Sequence, residues 1–245
     1  MSEMSSEVKQ RNAGLSIHLL TATGALTGFL ALEATANGDI RRALLWLIVC
    51  QVLDGIDGPL ARGMKVEVNA PQINGHVLDL VIDYVTCVVV PTMLLTKLEL
   101  APRGISTALA GAIMISSALW FARSDQETED SWFRGFPATW NVIVPSLIIL
   151  NASEVVVAVV CFFFCVLQLT NIEFPHVLRA RNLRRLTVAV AVGYFFCLTV
   201  LSATYPTGHT PFKPLLFIGP GYMVLIAAWR SFFPERVVFG YRVKG

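Results

Sequence analysis

The chain has little charge. Only 15% of its 245 residues are Asp, Glu, Lys or Arg, where an ordinary globular domain carries roughly a quarter. It has no strong charge excess either. Nineteen basic against 17 acidic side chains leave a net +2, which argues against nucleic acid as a partner. No Pro/Gly/Ser-rich linker divides it, and no repeat or low-complexity tract interrupts it. Cysteine is sparse and lacks metal-site spacing: Cys50, Cys87, Cys161, Cys165 and Cys197 all sit inside apolar runs, where a thiol acts as a small hydrophobe. These absences exclude a disordered chain, a coiled coil, a disulfide scaffold and a soluble enzyme.

What is present is hydrocarbon. Hydrophobic residues make up 55% of the chain and the mean hydropathy is +0.62, gathered in long blocks. A bilayer-spanning helix needs roughly 20 mostly apolar residues. Eight segments meet or approach that length: 15–36, 41–62, 75–97, 103–123, 136–152, 154–174, 187–205 and 213–232. The pattern predicts an all-α integral membrane protein of about eight transmembrane helices. It forms one polytopic domain over residues 1–245, with central helices at about 41–97 and extra C-terminal helices at about 187–232. Pro145 predicts a kink in the fifth segment.

Basic residues set the orientation. With the N-terminus in the cytoplasm, Lys9, Arg11, Arg62, Lys65, Arg123, Arg134, Arg179, Arg181, Arg184, Arg185, Arg230, Arg236, Arg242 and Lys244 fall inside, 14 of the 19. Arg41, Arg42, Lys97, Arg103 and Lys213 fall outside. Both termini are therefore expected in the cytoplasm. Lys9, Arg11, the run after them and Ala34-Thr35-Ala36 imitate a cleavable signal peptide, but the run is long enough to span.

Two places break the apolar pattern with acid. Asp54 and Asp57 lie at the inner end of the second segment, and Asp79 and Asp83 at the inner start of the third. Spacings of i, i+3 and i, i+4 put each pair on one helix face. A short hairpin makes the two helices neighbours, so four carboxylates converge at one depth. Their repulsion in low dielectric calls for divalent cations. All-oxygen ligands suit Mg²⁺ or Mn²⁺ rather than zinc. Gly58, Ala61 and Gly75 clear space beside the acids, and Arg62 offers a planar fork for phosphate. The bland alternative is acids that cap helix ends or pair with Arg62 and Lys65. Four at helical spacing, with glycines between, favour a phosphate-handling site.

The string Asp54-x-x-Asp57-Gly58-x-x-Ala61-Arg62, followed by Gly75-x-x-x-Asp79-x-x-x-Asp83, resembles the signature of the CDP-alcohol phosphatidyltransferase family, with all eight positions filled. Twelve residues separate Arg62 from Gly75, where that family commonly has about eight or nine. His18-Leu19-Leu20-Thr21 is similar to an Asn-x-x-Thr segment of the family, with His18 in place of Asn. Phe133-Arg134-Gly135-Phe136-Pro137-Ala138-Thr139-Trp140-Asn141 and Pro175-His176-Val177-Leu178-Arg179 resemble the bacterial branch whose product is phosphatidylcholine.

The resemblance implies transfer of the phosphatidyl group of CDP-diacylglycerol to choline, with CMP leaving, in the bacterial inner (cytoplasmic) membrane by a homodimer. It implies that Asp54, Asp57, Asp79 and Asp83 hold two Mn²⁺ or Mg²⁺ ions, with Asp83 also a general base. Gly58, Ala61, Arg62, Gly75, Thr21 and His18 would bind the CDP-lipid. Choline offers no donor from its head, so aromatic faces and a carboxylate are expected around it. Tyr84, Trp140, Trp132 and Glu173 are the candidates, against their reading as an interfacial aromatic belt. His18 and Thr21 have interhelical hydrogen bonding as their bland reading. The basic run Arg179, Arg181, Arg184 and Arg185 reads as topology control. Serine, glycerol phosphate or inositol phosphate remain alternative acceptors. A cation transporter is a further alternative, disfavoured because the acids cluster at one face beside Arg62.

Overall fold

The computed structural model describes residues 2–177, 184–207 and 210–232, and two short paired strands at 237–238 and 241–242. Leu178, Arg179, Arg181, His209, Arg236 and Lys244 lie outside the described residues. The chain is a helical membrane bundle. Helix α1 (Ser2–Ala36) begins well before the expected residue 15. Its polar start lacks proline and is rich in good helix formers such as Glu3, Glu7, Lys9, Gln10 and Arg11, so propensity carries the helix beyond its apolar part. The short turn at 37–39 leads into α2 (Ile40–Gly63), where the Asp39 carboxylate accepts the Arg42 backbone N–H at 3.1 Å.

The long hairpin after Arg62 is not slack. It forms a helical turn, α3 (Val66–Asn69), whose Val66 and the following Ala70 bury against Ile17 of α1. Helix α4 (Gly75–Asp83) is capped by Asn74. It runs straight into a π-helical segment, Tyr84–Val89, and then α5 (Val90–Lys97). At the end of the π segment Val90 N–H reaches back five residues to Val85 O. Pro91 follows, with no N–H to give to the regular ladder. Helix α1 lies close enough to α4 that a Cβ on Gly24 would come within 2.5 Å of Ile82 Cγ2.

Helix α6 (Ser106–Phe121), α7 (Trp140–Ile149), α8 (Glu154–Gln168), α9 (Arg184–Ala203), a 3₁₀ segment (Thr210–Phe217) and α10 (Ile218–Phe232) complete the described bundle. Among the described residues, five stretches are long and apolar enough to cross a membrane: Val8–Ala36, Ile40–Gly63, Gly75–Lys97, Arg184–Ala203 and Pro211–Ser231. The other three expected segments hold apolar helices of 16, 10 and 15 residues. At 1.5 Å per residue, α7 rises about 15 Å, half the hydrocarbon thickness. Eight of its ten residues are buried, so it is a core helix of the bundle.

All three of these apolar helices are shorter than their segments, and the residues after the last of them take another form. Residues 154–174 read as a single span, but α8 stops at Gln168 and Glu173 lies in a strand. That strand, β2 (Glu173–Pro175), pairs antiparallel with β1 (Trp132–Arg134), Phe133 facing Phe174. Thr170 turns its hydroxyl back to Leu167 O at 2.8 Å and ends the helix. Gly135, at φ +78°, lets the loop after β1 lie against the Gln168 carbonyl.

Candidate active site

Three of the four acids meet in a tight group. Asp54 and Asp57 of α2 and Asp79 of α4 each place a carboxylate oxygen within 4.8 Å of the others. Asp57 is buried, Asp79 half-buried and Asp54 exposed. Asp83 stands outside that tight group, one turn beyond Asp79. It is half-buried and close enough to feel the charge of Asp54, Asp79 and Asp57. Three carboxylate donors at this separation fit a hard divalent cation with oxygen ligands, and no thiol or imidazole joins the group.

The small residues beside the acids serve close approach. A Cβ on Gly75 would lie 3.1 Å from His18 Cε1, and one on Gly58 would lie 3.3 Å from Arg62 Nη1. Ala61 is half-buried on α2 and packs beside the Ile17–Val66–Ala70 cluster. Arg62 is exposed in the last turn of α2. His18 is buried with Nε2 3.4 Å from Ala70 O, and Thr21 interacts through its side chain with Asp57. Helix α1 thus presses both residues against the two acid-bearing helices.

The four residues expected around choline each have a partner within the fold. Tyr84, half-buried, donates its hydroxyl to Met114 O at 3.1 Å and meets Phe121 edge-on at 6.1 Å. Trp140 is fully buried and donates Nε1 to Ser117 Oγ at 2.8 Å. Trp132 has the guanidinium of Arg230 over its ring, 4.2 Å from the centroid. Glu173 accepts from Arg230 Nε, and Asp130 accepts from the same arginine at 2.7 and 3.1 Å. Burial works to raise the Asp130 carboxyl, but hydrogen bonds from Arg230 and Thr128 outweigh it and hold it below the usual carboxylate range. Asp125, bonded by Arg123 and then Arg134, is pushed down to about 2. The acidic loop is therefore tied to α10 and to its own arginines. A lone arginine in the last turn of an apolar helix was the signal for this cluster.

A chain of contacts leads from α2 through α7 to Asp83. Gln51, one turn before Asp54 on α2, donates Nε2 to Asn141 O at 3.0 Å. Asn141, in the first turn of α7, donates Nδ2 to Cys87 Sγ at 3.1 Å. Cys87 Sγ lies 4.0 Å from Asp83 Oδ1. Sequence reading noticed Asn141 only as part of a string and Gln51 not at all, since the two are 90 positions apart.

Comparison with known proteins agrees with this geometry. A sequence model of the family described as CDP-alcohol phosphatidyltransferase matches residues 17–169. Phosphatidylcholine synthase of Rhizobium meliloti (strain 1021) is 36% identical over 204 residues, covering 83% of each chain. That of Rhizobium johnstonii is 36% identical over 223 residues, 89% of this chain and 90% of the relative. That of Pseudomonas aeruginosa is 33% identical over 215 residues, 88% and 90% respectively. The motif acids, carried by two adjoining helices, lie within the matched region, and this chain belongs to the CDP-alcohol phosphatidyltransferase family.

Proposed function

We propose that this enzyme transfers the phosphatidyl group of CDP-diacylglycerol to the hydroxyl of choline, releasing CMP and leaving phosphatidylcholine in the bilayer. The observation that carries the reading is the convergence of Asp54, Asp57 and Asp79 within 4.8 Å, with Asp83 beside them. The names of the relatives support choline as the acceptor.

Asp54, Asp57, Asp79 and Asp83 would hold two Mn²⁺ or Mg²⁺ ions, which when bound supply positive charge against the pyrophosphate and the leaving phosphate. Asp83 accepts the choline hydroxyl proton as its oxygen attacks the phosphorus that carries diacylglycerol. The bond from that phosphorus to the CMP oxygen breaks. Arg62 offers two parallel N–H bonds to phosphate oxygens at the membrane surface. Gly58, Ala61 and Gly75 leave room for the nucleotide along α2 and α4, and His18 and Thr21 border that groove from α1. The basic-residue bias supports a cytoplasmic active site and cytoplasmic termini in a bacterial inner membrane. Family likeness supports a homodimer.

Purified protein given CDP-diacylglycerol and Mn²⁺ is expected to form phosphatidylcholine from choline and little product from serine, glycerol phosphate or inositol phosphate. Thin-layer chromatography of the lipid reads this directly. Product from one of the other acceptors alone would replace the reading.

Among the aromatic residues, Tyr84 is the one we retain beside the ammonium, because it follows Asp83 directly and, unlike Trp140 and Trp132, is not fully buried. A cation–π contact in a dry site contributes about 2 kcal/mol, some thirtyfold in affinity. Tyr84→Ala should raise the KM for choline toward that size with the KM for CDP-diacylglycerol unchanged. Tyr84→Phe keeps the ring and loses only the bond to Met114 O, so its KM should stay near wild type. Equal KM values for choline in all three proteins would make Tyr84 a packing residue.

A further inference from the structure

The described part of the bundle leaves two buried side-chain amide oxygens without a hydrogen-bond partner, on residues linked to Asp83 through Cys87. Among the described residues, Gln51 Oε1 and Asn141 Oδ1 are both buried and unbonded. Each residue is otherwise fixed. Gln51 Nε2 is held by Asn141 O at 3.0 Å, and Asn141 Nδ2 by Cys87 Sγ at 3.1 Å, with Cys87 in turn 4.0 Å from Asp83 Oδ1. Asn141 is only 5% exposed. Buried polar atoms in folded proteins are almost always paired. Two such oxygens on helices that adjoin the proposed base therefore point to a ligand.

We propose that Gln51 and Asn141 form the acceptor subsite, their amide oxygens receiving the cationic head of a small amino-alcohol whose hydroxyl then lies at Asp83. The proposal rests on the phosphatidyltransfer reading above. The chemistry follows from the groups present. A quaternary ammonium has no N–H, and its charge is spread over N-methyl hydrogens, which approach neutral carbonyl oxygens as weak C–H donors. Two amide oxygens supply the negative ends of dipoles without adding a carboxylate that would compete for the divalent ions. A primary ammonium would donate ordinary hydrogen bonds to the same atoms. A phosphorylated acceptor would bring its anion against two carbonyl oxygens and be rejected. Gln51 stands three residues before Asp54 on the same helix, about 4.5 Å along the axis, and Asn141 is joined to Asp83 through Cys87.

The test compares Gln51→Leu and Asn141→Leu with wild type in steady-state transfer, with tetramethylammonium as a head-only competitor. Each variant should raise the KM for choline and the Ki for tetramethylammonium about fivefold, with the KM for CDP-diacylglycerol within twofold of wild type. If a leucine variant fails to give a monodisperse protein, Gln51→Met and Asn141→Ser, closer in size, carry the same expectation. Unchanged KM for choline and Ki for tetramethylammonium in folded variants would overturn the subsite and leave the choline reading standing. Wild type that uses serine or ethanolamine instead, with the KM for that acceptor raised in both variants, would remove choline and keep the subsite. Wild type active only with glycerol phosphate or inositol phosphate would overturn both.

Discussion

Changing Asp54, Asp57 or Asp79 singly to Asn is expected to cut phosphatidyl transfer by about 10²–10³-fold, the scale of losing one electrostatic contact to a developing charge. The protein should remain folded, and its metal-free form should melt no lower than wild type. The reason is the geometry: three carboxylate oxygens within 4.8 Å of one another repel when nothing neutralises them, and a variant with one fewer charge relieves that repulsion. A binding readout separates this from a folding defect. Mn²⁺ should raise the melting temperature of wild type by linkage and raise that of each Asn variant much less. EDTA should abolish wild-type transfer, and Mn²⁺ or Mg²⁺ should restore it. Full turnover in metal-free buffer would refute the assignment.

Arg230→Met should destabilise the protein markedly, although it lies outside the acid cluster. The Arg230 side chain is 9% exposed and bonds both Asp130 and Glu173, whose side chains are 43% and 26% exposed. It also lies over Trp132. Breaking a fully buried pair by removing one partner costs about 3–5 kcal/mol. The partial exposure of both acids brings the expected loss down to about 2–3 kcal/mol, after screening by solvent. For a chain of this size that is roughly a 5–10 °C fall in melting temperature. The triple variant Arg230→Met, Asp130→Asn, Glu173→Gln removes the stranded charges and should recover part of the loss. A melting point for Arg230→Met equal to that of wild type would show that the cluster contributes no stability. The sign with pH follows from the acids. Asp130 and Asp125 are held below their unfolded values, so their stabilising share is full above the ordinary carboxylate range near 4. It fades as pH falls toward about 2, the value for Asp125.

The long apolar helices and the grouping of Asp54, Asp57 and Asp79 were legible because both are local. Apolar runs of about 20 residues announce helices, and the i, i+3 spacing of Asp54 and Asp57 needs only one helix to be read. The hairpin between them supplied the one tertiary fact required. What stayed hidden is nonlocal. Glu173 looked like the end of a helix, because nothing near it in the chain shows that Phe133 waits for Phe174 across a three-residue ladder. Arg230 meets Asp130 across 100 positions, so the acidic loop read as an open site for a cation when its carboxylates already hold one. The extra residues after Arg62 looked like a departure in length. Their use as a helical turn docked on Ile17 depends on small Gly14 opposite Ala70, where a Cβ would come within 2.9 Å.

The π-helical stretch at Tyr84–Val89 sits between two surfaces that must face different ways. Before it, Asp79 and Asp83 turn toward the acids of α2. After it, Val90, Leu94 and Leu95 of α5 turn into the core and are fully buried. A regular helix advances about 100° per residue, so one residue more or fewer between the two faces rotates one relative to the other by that angle. The wide turn works as a phase adjuster, allowing polar chemistry and hydrocarbon packing to share one continuous rod. Removing a single residue from 84–89 would let the backbone close into an ordinary α-helix. It would also leave either the acids or the core side chains of α5 pointing at the wrong neighbour.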